Sequence, residues 1–545
     1  QLSVSTATND GTVKAGTVAV TQRLTNNNAL NASTVNAGTA TIVNEKQLTV
    51  TSALNAQTLN NGINGQLNAG QAAVGSLTNA GTVTLTGSQV STIQTLDNTR
   101  AEAVFNGAGA VNVTGNLTNK GVIDQKKTMD LTVAGVADNQ KTLNAKSADL
   151  GKLNNVGTVD VTNTLTVKTA FSNSDTGTIN AGNVHVGTGT NQGTLNVTGT
   201  MTVAGGQFTH QQGNIAATTL KLDQGEFVVG ANAAANVTVN NLESVNQSTL
   251  ENAGALTIGH IGTTDGLTYK QTGGSLTVTD KSFFSNSTLN ISGGKLTRLD
   301  PGHNTFGQGN TVNLSGTKAG GPQADGTGKL DPTNWTNGYT YAHVGLLDSG
   351  STVTINKGAI LEADDINLTS KSLTLNGGVL ASDMSSFFVS VTEDFFTVDT
   401  GEANKLPTTV LGTKDVGALE ESFGKYLTVG NAGGTLVLTD EYVYLDAVAS
   451  ANKKLGEVFS GKDMHVVFTG QVADPTTRDN NFYHQTFADL KAEQKPDSKF
   501  NTPGLVFSNM AYMNKTDANG VGRNQLIIGS TGTSVGENAL LLDLN

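Results

Sequence analysis

The chain of 545 residues contains no cysteine. Disulfide staples and thiolate metal sites are thereby excluded, and the absence suits a chain that crosses an oxidising compartment unfolded, where early bridging would block export. Proline is withheld almost as strictly: all seven (Pro301, Pro322, Pro332, Pro407, Pro475, Pro496 and Pro503) lie beyond residue 300. Aromatic residues are scarce over the same stretch. Only Phe105, Phe171, Phe208, Phe227 and Tyr269 precede residue 281, and the other 22 of the 27 (18 Phe, 8 Tyr, 1 Trp) follow it. A thick globular core would call for large rings, whereas Val, Leu, Ile and Ala suit a narrow one, so the first 300 residues predict a thin, elongated body.

Charge is also low. Ionisable Asp, Glu, Lys and Arg make up 14% of the chain and the net charge is −12. That is the reverse of the basic footprint needed for nucleic acid or an anionic membrane surface, so binding to either is not expected. No apolar run reaches 18 residues, and direct membrane insertion is likewise not expected; any export leader is placed upstream of Gln1. Disorder is argued against by the 36% of hydrophobic residues, which fall at alternate positions.

What is present is a repeat. The pattern Asn-x-Gly-x-apolar occurs at Asn9-Asp-Gly11, Asn36-Ala-Gly38, Asn79-Ala-Gly81, Asn119-Lys-Gly121, Asn155-Val-Gly157, Asn191-Gln-Gly193 and Asn252-Ala-Gly254, with further copies at Asn68 and Asn180. The spacing reduces to a unit of about 18 to 21 residues, within the range of solenoid repeats. Each copy reads as a turn followed by a strand. Asn and Gly tolerate a left-handed corner, and the alternation Thr-Val-Thr-Leu (82–85) puts aliphatic side chains on one face and hydroxyls on the other. One such strand cannot bury its apolar face alone. Coils stacked at about 4.8 Å pair every backbone group with the coils on either side, and Asn side chains at equivalent corners are expected to bond in ladders along the stack. Proline would break such pairing, which accounts for its exclusion. Further along, a Gly-Gly-x-apolar form takes over the corner, at Gly205-Gly206, Gly273-Gly274, Gly293-Gly294, Gly377-Gly378 and Gly433-Gly434. Coils of about 20 residues running to residue 440 would number roughly 22.

These Gly-Thr-Val-x-Val and Gly-Gly-x-Leu coils resemble the passenger regions of bacterial autotransporters and, more loosely, the filamentous-haemagglutinin type of exoprotein. The resemblance covers about four fifths of the chain. It implies an all-β fold, a right-handed parallel β-helix, displayed on a bacterial surface or secreted. Two features depart from it: a C-terminal membrane barrel is missing, and so is the Asn-Pro motif of two-partner secretion domains, which implies a released passenger or another export route.

The composition divides the chain into a regular solenoid (1–300), a solenoid with inserted loops (301–440) and a mixed C-terminal capping or assembly region (441–545), with helical spacing over 446–459 and 481–494. Within 301–345 the aromatic group Trp335, Tyr339 and Tyr341 has two readings: a packing insert that shields one face, or a loop that contacts a glycan through exposed ring faces. The capping region covers an open coil edge or docks another copy of the chain.

No constellation in the sequence carries catalysis. The ordered motifs of polygalacturonases fail, because Gly302-His303 precedes Asp364-Asp365 and neither Asn-Thr-Asp nor Arg-x-Lys is present. The five arginines (23, 100, 298, 478 and 523) are too scattered for a lyase. Ser349, in Asp348-Ser349-Gly350 with His343 nearby, lacks the Gly that a protease nucleophile expects at position 347 and reads as a polar corner. Asp517-Ala-Asn519-Gly520 resembles part of a calcium loop, but Lys515 stands where the first acid belongs. The seven histidines (185, 210, 260, 303, 343, 465 and 484) have no zinc spacing. No cofactor, no metal and no enzymatic activity are expected. The function expected is that of an adhesin or self-associating structural rod, with surface glycans, proteins or further copies of itself as partners. The alternatives are a filament or coat subunit joined end to end, and a carbohydrate-active enzyme built on the same helix.

Overall fold

A computed structural model describes residues 1–298, 306–319, 334–382, 426–438, 464–468, 510–516, 522–528 and 540–543. The chain divides into two compact units, Gln1–Gly259 and His260–Asn545. Each is built on a parallel β-solenoid with coils of about 19 residues, to which the second unit adds an antiparallel series.

The coil of residues 142–155 shows how the sequence makes this shape. Strands Thr142–Ala145 and Ser147–Asn155 bury Leu143, Ala145, Ala148, Leu150, Leu153 and Asn155. Three short runs of alternation, each near four residues, are separated by bends, so the coil has three sides. Each side pairs in parallel with the next coil: Thr142 opposite Thr158, Ala148 opposite Leu165 and Leu153 opposite Phe171. Leucines stack on leucines or phenylalanines, and burying each one contributes about 1.5–3 kcal/mol. A register shift between Leu150 and Lys152 absorbs differences in coil length at a bend.

Buried among these aliphatic residues is a column of polar ones. In the first unit Asn9, Asn26, Asn44, Asn61, Asn79, Asn98, Asn119, Asn139, Asn155, Asn173 and Asn191 form a single column, each side-chain Nδ2 donating to Oδ1 of the next asparagine at 2.7–2.8 Å. The column runs one way, from the N-terminal coil onward. The second amide hydrogen goes to a corner carbonyl, as from Asn79 to Val104 and from Asn119 to Thr142. The Oδ1 atom also accepts the backbone N–H two residues on, at Gly81 and Gly121. A buried amide satisfied on every side stabilises the corner, and one left with an open valence would cost about 1–3 kcal/mol.

The ladder expected from the repeat is therefore present, although the Asn-x-Gly pattern mixes two kinds of position. Asn36, Asn68 and Asn180 point outward, and Asn36 is bonded by Asn55 across the coil surface. Asn26, Asn44, Asn98, Asn139 and Asn173 belong to the column without a glycine two residues on. The corner glycines also serve a purpose other than the expected one. Gly81 and Gly157 have ordinary backbone angles, but a Cβ on either would lie 2.3 Å from the Gly65 carbonyl or 2.1 Å from the Lys141 carbonyl of the preceding coil. Close stacking, not a left-handed turn, requires glycine there.

The left-handed corner does appear at Gly205 and Gly213 in the first unit and becomes the rule in the second. One residue of each Gly-Gly pair there has positive φ: Gly274, Gly294, Gly377 and Gly433. The column that ends the preceding strand is aliphatic after its first member, running Gln271, Ile291, Leu314, Ile355 and Leu375. Insertions lengthen some coils: Thr311 faces Thr352, and Leu373 faces Leu427. That consumption of chain leaves about 19 turns among the described residues in place of the 22 expected. Strand Gly434–Leu438 pairs in parallel with Met464–Phe468, which then begins an antiparallel series through Met510–Thr516, Gly522–Ile528 and Leu540–Asp543. The helical spacings at 446–459 and 481–494 lie outside the described residues.

Candidate functional site

The aromatic insert sits on the outer face of the second unit. Ile360, Val379, Ala381 and Val437 are buried although their strand positions face away from the solenoid interior, because Tyr339 packs over them. Trp335 and Tyr341, both half-buried, complete the cover. Lys318 places its Nζ 4.2 Å from the Tyr339 ring centroid, a cation–π contact on the solvent side. All three predicted aromatics thus lie together, and their apolar area is largely committed to the sheet beneath. Burial pushes the Tyr339 hydroxyl above its usual range.

Beside this cover, two adjacent coils bring four polar groups to one surface. Strand Thr340–Asp348 carries Tyr341 and His343 at alternate positions; strand Ala359–Asn367 carries Glu362 and Asp364 in the same way. The parallel register sets His343 opposite Glu362, and each side chain reaches diagonally. Tyr341 Oη donates to Glu362 Oε2 at 2.6 Å, and His343 Nε2 meets Asp364 Oδ1 at 2.8 Å. The Tyr341 and His343 ring centroids are 6.4 Å apart. Burial, helped by the neighbouring Glu362 charge, drives the Tyr341 hydroxyl far above its ordinary pKa. It therefore stays a proton donor throughout the biological range. Lys295 of the preceding coil, opposite Tyr341, adds an exposed cation.

Alternate residues on one strand share a face at roughly 6.8 Å, so Glu362 and Asp364 stand side by side. They present carboxylate acceptors next to an aromatic edge, a composition that can hydrogen-bond vicinal hydroxyls. Sequence reasoning weighed His343 and Asp364 in separate motifs and did not join them. The signal available was the alternation Tyr-x-His in one coil and Glu-x-Asp in the coil that follows about 20 residues later.

Ser349 is not joined to His343. Its hydroxyl accepts the N–H groups of Thr369 and Ser370, so it fastens a corner of the next coil. Gly302-His303 and Asp517 to Gly520 lie outside the described residues. Among the described residues, no group of three or more His, Asp or Glu is placed to hold a metal ion, and no helix is long and apolar enough to cross a membrane. A similar outer pair joins His260 Nδ1 to Asp280 Oδ2 at 2.7 Å. Partial burial pushes the Asp280 carboxyl up, but hydrogen bonds from Ser282 and the His260 contact outweigh it and hold the pKa below the ordinary value. No family model, curated protein or solved structure matches the chain.

Proposed function

We propose that the chain is a surface-displayed or secreted bacterial structural solenoid, resembling an autotransporter passenger, that acts as an adhesin through its outer polar faces and the patch around Tyr341. The observation that supports this reading most is the division of labour between interior and exterior. The buried Asn column and aliphatic stacks stabilise coil after coil, while the outward positions are free to vary. Tyr341, His343, Glu362 and Asp364 use that freedom to gather four hydrogen-bonding groups at the rim of an aromatic cover. Glycan hydroxyls are the partner chemistry such a rim suits, and weak contacts repeated along an ordered surface add through multivalency.

The test is a glycan array probed with the purified chain, followed by analysis of any bound glycan for cleavage. Retention of intact glycans, lost in a Glu362→Gln/Asp364→Asn double variant, is the expected result. No retention at any density would sink the adhesive reading, and cleavage would favour a carbohydrate-active enzyme, with Glu362 and Asp364 as its acids. Concentration-dependent fibres in negative-stain images would favour the filament subunit instead.

A further inference from the structure

The Asn column of the first unit does not end on an asparagine. Its eleventh member, Asn191, places Nδ2 3.0 Å from Nδ1 of His210, which is fully buried, and His210 Nε2 lies 3.1 Å from the Gly213 carbonyl. The column fixes the protonation state of that ring. Asn191 Oδ1 is already taken by Asn173 Nδ2, and Asn173 by Asn155, back to Asn9. From the Asn191 side chain only a hydrogen can therefore face His210, so Nδ1 is an unprotonated acceptor and Nε2 carries the proton to Gly213. On the next coil the position opposite His210 is Val229, which has no polar atom to continue the series.

We propose that His210 is an acid-sensitive closure of the ladder: protonation at Nδ1 sets two donors against each other and releases the coil that spans residues 191–213. No counter-charge is at hand to accept an imidazolium. The strands packed against His210 present Gly189, Thr190 and Asn191 on one side and Phe227, Val228 and Val229 on the other. Glu226, the titratable group of those strands, is at the outer surface and bonds Gln207. The flanking corners 192–193, 211–213 and 230–234 contain only Gln, Gly, Ala and Asn.

Burial already lowers the imidazole pKa from 6.5, against the raising effect of the backbone carbonyls of Gly213, Asn236 and Asn191. The sign follows. A depressed folded pKa means that the unfolded chain binds the proton first, so the contribution is full above the unfolded value near 6.5 and is lost as pH falls below it. His185 and His260, which are not in the column, serve as internal controls.

The test is hydrogen exchange of the whole chain at about pH 7.5 and about pH 5, corrected for intrinsic rates, on the natural protein and on His210→Asn. The substituted amide can accept from Asn191 and donate to Gly213, so the variant retains the closure without a titrating group. In the natural protein, protection over residues 189–213 is expected to fall severalfold at the lower pH while residues 119–173 hold. In His210→Asn that fall is absent. An equal fall in both proteins, or none in the natural one, overturns the proposal. Should the variant fold poorly, long-range nitrogen NMR of the histidine rings in the natural protein decides: an Nδ1-protonated or charged His210 at neutral pH is equally fatal.

Discussion

The two units close the same kind of corner by different chemistry. In Gln1–Gly259 the strand before the corner ends on a buried amide, as in Leu77-Thr-Asn79, and that amide supplies the bonds the turning backbone needs. In His260–Asn545 the strand ends on an aliphatic residue, as in Leu289-Asn-Ile291, and a left-handed glycine turns the chain. From Asn9 to Asn191 a side-chain column thus replaces a special backbone conformation, which returns at Gly205 and Gly213. The amide version stabilises only while its neighbours are also amides, whereas the glycine version is local to each coil. The aliphatic column stays continuous past the long insertion between Leu314 and Thr352, since Leu314 faces Ile355 directly.

The contrast is broken most severely at the middle of the column. Asn119→Leu leaves the Asn98 donor and an Asn139 acceptor buried without partners, and is expected to destabilise the first unit by about 3 kcal/mol or more. Denaturant titration combined with local hydrogen exchange would show it; a loss under about 1 kcal/mol would mean that the column is incidental. The reverse exchange, Ile355→Asn, places a lone amide in an aliphatic column and should cost about 2–3 kcal/mol, read the same way. If it proves neutral, the two columns are interchangeable and the comparison fails.

Gly294→Ala probes the glycine side. Its φ of 72° and a Cβ only 2.3 Å from the Gly274 carbonyl predict a loss of about 2 kcal/mol or more, localised to the second unit by exchange. Tyr341→Phe removes the donor to Glu362 but keeps the ring over the cluster, so a thermal melt should register only about 1 kcal/mol. Smallest of all is Lys168→Ala. It deletes an exposed ion pair with Asp149 at 2.8 Å, and less than about 0.5 kcal/mol is expected, vanishing in high salt.

Much of the fold was legible from the alternation of Val, Leu and Thr and from the exclusion of proline, since both report directly on continuous parallel pairing. The column was legible only in part, because the eye is drawn to Asn-x-Gly when the more general mark is apolar-x-Asn. Leu24-Thr-Asn26, Leu59-Asn-Asn61, Leu96-Asp-Asn98 and Phe171-Ser-Asn173 all carry it, and glycine follows at Gly81, Gly121, Gly157 and Gly193, where a carbonyl of the preceding coil comes too close for a Cβ. Trp335, Tyr339 and Tyr341 could be grouped by sequence. Their packing over Ile360 and Val379 could not, because those aliphatics occupy outward positions that alternation assigns to solvent. The pairing of His343 with Asp364 depends on coil register, which no single strand encodes.

The column also tolerates unequal coil lengths, with successive asparagines 16 residues apart from Asn139 to Asn155 and 21 apart from Asn98 to Asn119. It therefore acts as a set of splice marks. Excising residues 140–155 would join Asn139 directly to Val156-Gly157, recreating the Asn-Val-Gly corner that now begins at Asn155, with Asn173 as the next acceptor. A gene for such a chain can gain or lose whole coils by recombination between these marks without disturbing the coils that remain, so its length is free to change while its cross-section is not.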